Sequence, residues 1–228
     1  MSGVVELRQY ALKPGRRDGL IDLFERELVE SQEAEGMAII GTFRDAGDTD
    51  RFVWMRGFPD MESRAKSLAA FYGGPVWRQH REAANSTMID SDNVLLLRPA
   101  WEGAGFPSGG ARPPVGATAL APGCLLAVIH HFGGAVSEDL LAAFRETMPD
   151  QYRAVGARTS ACFVTEASPN SFPALPVREG EHVLAWIAMF ADRDSAHPLP
   201  SGLEQHSSKP VETLRLLPTA RSRLRLPG

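Results

Sequence analysis

Tyr72, Trp77, Arg78, His80, Arg81 and Asn85 crowd into one short stretch, FYGGPVWRQHREAANSTMIDSDNVLLLRP over residues 71–99. Pro75 after Gly73 and Gly74 reads as the first residue of a helix, because a helix start needs no N–H from that position. In that helix Trp77, Arg81 and Asn85 fall at i, i+4 and i+8, which lays an indole, a guanidinium and an amide along one side. Tyr72 enters from the preceding turn, and His80 sits one position off that side. Such a set can line a cavity, or it can be a Trp-anchored helix packed on its own sheet, with Arg81 stacked on the indole for about 0.5–1 kcal/mol.

A second set lies on strands. In VVELRQY the period of two puts Glu6, Arg8 and Tyr10 on one face and Val5, Leu7 and Gln9 on the other. In FVWMRGF it puts Phe52, Trp54, Arg56 and Phe58 together. Charged groups on a central strand must be paired, wet or turned to a cavity. A Glu6–Arg8 pair that orders a barrel mouth answers this demand, and so does contact with a ligand. Arg8, Arg56 or Arg81 has the chemistry to hold an anionic or enolic oxygen, Tyr10 or Tyr72 to donate or relay a proton, and His80 or Glu6 to act as base. Glu6, Trp54, Arg56, Trp77 and Asn85 would contact the ligand.

Other chemistries find little here. The 228 residues carry a net charge of -4, and the basic residues are nearly all Arg, scattered among acids, which argues against a nucleic-acid partner. No apolar run approaches the roughly 20 residues of a membrane span, and the opening MSGVVELRQY has neither a basic nor an apolar leader segment, so a cytoplasmic location is expected. His130 and His131 are adjacent on a strand and face opposite ways, and His182, His197 and His206 lack ligand spacing, so no metal site is expected. Cys124 and Cys162 read as reduced, buried thiols on strands that are not neighbours. No phosphate loop or nucleophile elbow is present, and no cofactor is implied.

The elements that must position these residues repeat. Residues 101–123, rich in Gly, Pro and Ala, read as a linker between residues 1–100 and 124–228. On either side the order is strand, helix, strand, strand, helix, strand. Val4 to Tyr10 answers Leu125 to His131, and Leu20, Phe24 and Leu28 answer Leu140, Phe144 and Met148. FVWMRGFPD answers LAWIAMFAD, and VLLLRP answers TLRLLP. By this alignment Ala127 and Ile129 stand where Glu6 and Arg8 stand. The second unit has gained about a dozen residues around SPNSFPALPVREG and lost about as many from its second helix. Two βαββαβ units, α+β in class, each give a four-stranded sheet with helices on one face. Packing the bare faces together buries both, as two tandem ferredoxin-like halves.

ELRQYALKPG, the third strand with its aromatic and FPD, and WRQHREAANSTMIDSDNVLLLRP resemble the NIPSNAP family, strongly over residues 4–100 and in pattern only over 124–220. The resemblance implies the dimeric α/β-barrel form of the ferredoxin-like fold, made here within one chain. It implies little about activity, since animal members are associated with mitochondria and mitophagy signalling. The wider superfamily includes cofactor-free monooxygenases of aromatic polyketides, haem-binding proteins and small-molecule isomerases.

Together these readings predict a monomer with an internal pseudo-dimer and a polar-lined cavity in residues 4–100, near Glu6, Arg8, Tyr10, Arg56, Tyr72, Trp77 and Arg81. It would bind, and without a cofactor transform, a small apolar or aromatic compound with a polar end. The alternatives are a non-enzymatic interaction or stress-related binding protein, and a haem-binding barrel with His80 as axial ligand.

Overall fold

Nine strands and five α-helices form in the computed structural model, which describes residues 2–107 and 110–227. In chain order they are β1 (Val4–Leu12), α1 (Arg17–Leu23), α2 (Val29–Ala34), β2 (Ala38–Asp45), β3 (Arg51–Phe58), α3 (Met61–Gly73), α4 (Pro75–Asn85), β4 (Met88–Asp90) and β5 (Val94–Pro99), followed by β6 (Cys124–Phe132), α5 (Glu138–Ala154), β7 (Thr159–Thr165), β8 (His182–Phe190) and β9 (Glu212–Pro218). A π-helical turn, Phe24–Leu28, joins α1 to α2. Gly36 and Gly156 follow the helices at φ of 86° and 97°, a left-handed conformation that a Cβ would resist.

Eight strands close an antiparallel barrel in the order β1–β3–β2–β9–β6–β8–β7–β5 and back to β1, with β4 as a short addition to the end of β1. In place of two separate sheets meeting face to face, the strands form one closed sheet: Phe43 pairs with Pro218 where β2 meets β9, and Arg98 pairs with Val164 where β5 meets β7. Closure satisfies the backbone groups that two open sheets would leave unpaired. Inside, Val5, Leu7, Val53 and Met55 share one core with Leu125, Ala127, Ile129 and Ile187.

Outside the barrel, α1 to α4 cover the strands of residues 4–99 over Phe24, Phe52, Trp54, Leu68 and Phe71. Helix α5 covers β6 to β8 over Phe144, Tyr152 and Trp186. Between β8 and β9 the described residues form a 3-10 turn, Glu204–His206, and no helix longer than this.

Strand register corrects one sequence alignment. Arg8 pairs with Trp54 and Glu6 with Arg56, whereas Trp186 pairs with Val128 and Ala188 with Leu126. With Trp186 set against Trp54, Leu126 and Val128, rather than Ala127 and Ile129, fall where Glu6 and Arg8 stand. Ala127 and Ile129 face the barrel core. A slip of one residue exchanges the two faces of a strand. Cys124 and Cys162 lie on β6 and β7 with β8 between them, both buried and unpaired. Among the described residues no helix is long and apolar enough to cross a membrane.

A buried cationic cluster as candidate functional site

Glu6, Arg8, Arg56 and Arg64 are each 0% exposed and form one ion cluster between the sheet and the helices. Alternation turns Glu6 and Arg8 outward from β1 and Arg56 from β3, while helix α3 brings Arg64 down on them. Asp60 starts that helix by accepting a hydrogen bond from the Ser63 N–H at 2.7 Å, which fixes the turn bearing Arg64. Glu6 Oε2 accepts from Arg8 Nη1 at 2.6 Å and from Arg56 Nε at 2.7 Å, and its Oε1 accepts from Arg64 Nε at 2.7 Å.

Three guanidiniums thus face one carboxylate. Their other hydrogen-bond partners are neutral: Arg8 Nε donates to the Tyr10 hydroxyl at 3.0 Å, Arg56 Nη1 to Gln32 Oε1 at 3.0 Å, and Arg64 Nη1 to Asn170 Oδ1 at 2.9 Å and Ser171 Oγ at 3.1 Å. Nη2 of each Arg is buried with no hydrogen-bond partner among the described residues, and so is Trp54 Nε1.

Aromatic faces complete the surroundings. The Arg8 and Arg56 guanidiniums lie 5.5 and 5.1 Å from the Trp54 ring centre, and Arg56 lies 5.9 Å from that of Tyr72. Tyr72 packs edge-on against Trp77 at 5.0 Å and stacks on Phe172 at 6.0 Å. Burial alone would raise the Glu6 pKa, but Arg56, Arg8 and Arg64 more than offset it and hold the carboxyl well below the usual range. Burial pushes the Tyr10 phenol up, against the pull of Arg8. Tyr10 is therefore a neutral phenol that accepts from Arg8 and keeps its own proton to give.

The fold brings together Glu6, Arg8, Tyr10, Trp54, Arg56, Tyr72 and Trp77. It leaves out Arg81 and Asn85, which are exposed. Helix α4 turns Trp77, His80 and buried Ala84 toward the protein, so the side carrying Arg81 and Asn85 is the solvent side. His80 Nε2 points to Glu27 Oε2 at 3.7 Å, on the π-helical turn, rather than into the cluster.

Sequence reasoning missed Arg64, Gln32 and the loop residues Asn170, Ser171 and Phe172. Arg64 had a signal, since it stands at i before Leu68 (i+4) and Phe71 (i+7) on the buried side of α3. Asn170 to Phe172 had none, because their place depends on a loop of β7–β8 reaching across to helix α3.

Two cavities lie elsewhere than the cavity expected over Glu6 and Arg8. One, of about 560 Å³, opens at a barrel mouth among Val5, Met37, Phe58, Trp101, Phe106 and Phe163. The other, of about 390 Å³, lies beside the β7–β8 loop among Leu96, Arg98, Leu141, Val164, Glu166 and Asn170. Helix α3 and that loop pack over the cluster through Arg64, Asn170 and Ser171, and Trp77 of α4 packs against Tyr72 beside it. Among the described residues no group of three or more His, Cys, Asp or Glu is placed to hold a metal ion.

A closed antiparallel α+β barrel with a buried ionic site beneath its helices is the class that fold and site define. Residues 5–101, somewhat less than half of the chain, match the NIPSNAP family model. Two solved structures share the whole architecture. A Lactobacillus acidophilus protein described as a "putative monooxygenase" is 13% identical with a TM-score of 0.58, covering 100% of both chains. A Fusobacterium nucleatum protein described in the same words is 7% identical with a TM-score of 0.58, covering 97% of this chain and 94% of its own. At these identities the likeness is one of fold. A NIPSNAP-like domain protein from Burkholderia xenovorans is 26% identical over 49% of this chain and 92% of its own, with a TM-score of 0.39. No curated protein matches the chain.

Proposed function

We propose that the protein binds a small organic anion, a carboxylate or an enolate, at the Arg8–Arg56–Arg64 cluster, within the residues that match the NIPSNAP family model. One observation carries this reading: three buried guanidiniums share a single carboxylate, and each keeps one Nη2 without a partner among the described residues. Buried excess charge costs several kcal/mol, and a water molecule could satisfy an N–H but would bring no charge. An anion would satisfy both.

The chemistry follows from the protonation states. The guanidiniums stabilise an oxyanion, and the neutral Tyr10 phenol supplies a proton to it. Glu6, held ionised by three cations, is a weak base and serves as their anchor. Any turnover would be an isomerase-like reaction on an enolate that enters already ionised, with Tyr10 giving it a proton, or a monooxygenase-like one that also consumes O2 as its oxidant; neither assigns a cofactor.

We also read the chain as two βαββαβ halves that complete one barrel as a monomer. The strand runs β5–β1–β3–β2 and β9–β6–β8–β7 correspond one to one, and Trp54 and Trp186 hold equivalent registers. Under its helices the N-terminal half carries the Glu6–Arg8–Arg56–Arg64 cluster. Around Trp186 the C-terminal half is filled by Phe144 and Tyr152, at 5.4 and 5.3 Å.

Thermal melts with benzoate and with its neutral isostere benzamide test the reading. Benzoate should raise Tm, benzamide should not, and Arg8→Met should abolish the difference. Equal effects of the two compounds on the parent protein would overturn the proposal.

A further inference from the structure

The β7–β8 loop belongs to the C-terminal unit, yet its tip seals the site of the N-terminal one. Its two feet are pinned to β5: the Glu166 N–H donates to Leu96 O at 2.9 Å and the Arg178 N–H to Val94 O at 2.8 Å. Its tip is braced internally. Asn170 Oδ1 accepts from the Phe172 N–H at 3.1 Å, Asn170 Nδ2 donates to Leu175 O at 2.9 Å, and the Leu175 N–H donates to Phe172 O at 3.0 Å. This braced tip presents Asn170 and Ser171 to Arg64, the Phe172 ring to Tyr72 at 6.0 Å with 23° between planes, and Leu175 to the core beneath the helices.

We infer that this loop is the selective cover of the cationic cluster, with Phe172 as its specificity-determining residue, and that the ligand it admits is a planar aromatic anion. The inference rests on the reading of the cluster as an anion site.

Three features of the contact support it. Asn170 and Ser171 give Arg64 hydrogen bonds but no charge, so the closed loop orders the guanidinium and leaves its charge uncompensated. A carboxylate would displace them, since a charge-assisted bond is roughly twice as strong as a neutral one. Next, Phe172 stacks on the outer face of Tyr72, whose ring also lies beside Arg56. When the tip lifts, that face becomes a stacking surface next to a guanidinium, which suits an aromatic ring bearing an anionic oxygen. Finally, the 390 Å³ cavity lies behind the tip, and its wall holds both Asn170 and Leu96. Leu96 is the direct cross-strand neighbour of Glu6. The cavity therefore gives the tip room to move and leads toward the cluster from the side of β5.

The residues gained by the C-terminal unit are, on this reading, a part of the N-terminal site. The loss of charge under α5 and the gain of the loop are then two sides of one division of labour between the units.

Calorimetric titration of the full chain with benzoate and with acetate, which shares the carboxylate but lacks the ring, tests the inference in the parent protein and in Phe172→Ala. If Phe172 holds the place of the ligand ring, its removal should tighten benzoate binding by about two- to tenfold, the value of one aromatic pair, and leave acetate unchanged. Amides of residues 170–175 should exchange faster with benzoate bound, and less so with acetate, which competes with Asn170 and Ser171 for Arg64 but leaves Phe172 on Tyr72. Benzoate binding that depends on Arg8 but is unchanged or weakened in Phe172→Ala, with no change in exchange at 170–175, would overturn the cover and leave the anion site standing. Failure of both anions to bind the parent protein would overturn both.

Discussion

Arg64 and Glu6 stand 58 positions apart in the chain and meet at 2.7 Å with neither side chain exposed to solvent. Helix α3 exists at that place to be packed on β1, and the ion pair is where charge rather than apolar surface makes the contact. The same carboxylate also accepts from Arg8 and Arg56, so one residue holds three buried cations.

Glu6→Gln should therefore destabilise the protein by about 3–5 kcal/mol, because three buried cations lose their only shared anion. Arg64→Met should cost far less, since it removes a charge from the excess while the long side chain keeps the packing. Urea denaturation of the two variants checks the order, and a smaller loss for Glu6→Gln than for Arg64→Met would refute it.

Acid should weaken the fold in a defined window. The Glu6 pKa in the folded protein lies below its usual 4.5, and that of Glu181, bonded to Lys209, Arg178 and His131, is lowered to about 2. Both contribute stability that is fully present above about pH 4.5 and is lost as pH falls toward the folded values, because the unfolded chain then binds protons first. Melting temperature should fall steadily from pH 4.5 to 2, and Glu181→Gln should flatten part of that slope. A melting temperature constant through this range would contradict the assignment.

Arg81→Ala and Asn85→Ala should change little. Both side chains are exposed on the outer side of α4, where substitutions stay within about 0.5 kcal/mol. Neither should alter benzoate binding. A tenfold loss of affinity in Arg81→Ala would return that residue to the site.

The two thiols should be inert in the folded protein. Burial pushes the Cys124 thiol up to about 11 and the Cys162 thiol higher still, so almost no thiolate forms near neutral pH. A thiol reagent should react with both only on unfolding, and rapid labelling of native protein would show that one of these strands opens.

Much of the architecture was legible locally. Val4 to Tyr10 alternates, VLLLRP reads as a strand, Gly36 and Gly156 end helices, and Pro75 opens one, because each of these depends on a few neighbouring residues and on steric rules that hold in any fold. The period of two was enough to put Glu6, Arg8 and Tyr10 on one face and Trp54 with Arg56 on another. What local pattern could not supply was the counterpart of that face. Helical spacing groups Trp77 with Arg81 and Asn85, yet the side of α4 that meets the protein is the one with His80 and Ala84, and only packing chooses between sides separated by a fraction of a turn.

Arg64 looked like an ordinary helix residue until α3 was laid over β1, and Asn170, Ser171 and Phe172 belong to a loop whose own sequence prefers no particular partner. Alternation and helix signals act over a few residues, where the chain's covalent geometry enforces them. The charge excess of the cluster, the register that sets Leu126 rather than Ala127 opposite Ala188, and the reach of the β7–β8 loop to Arg64 and Tyr72 arise from contacts between distant segments, which only closure of the barrel brings within a few ångströms.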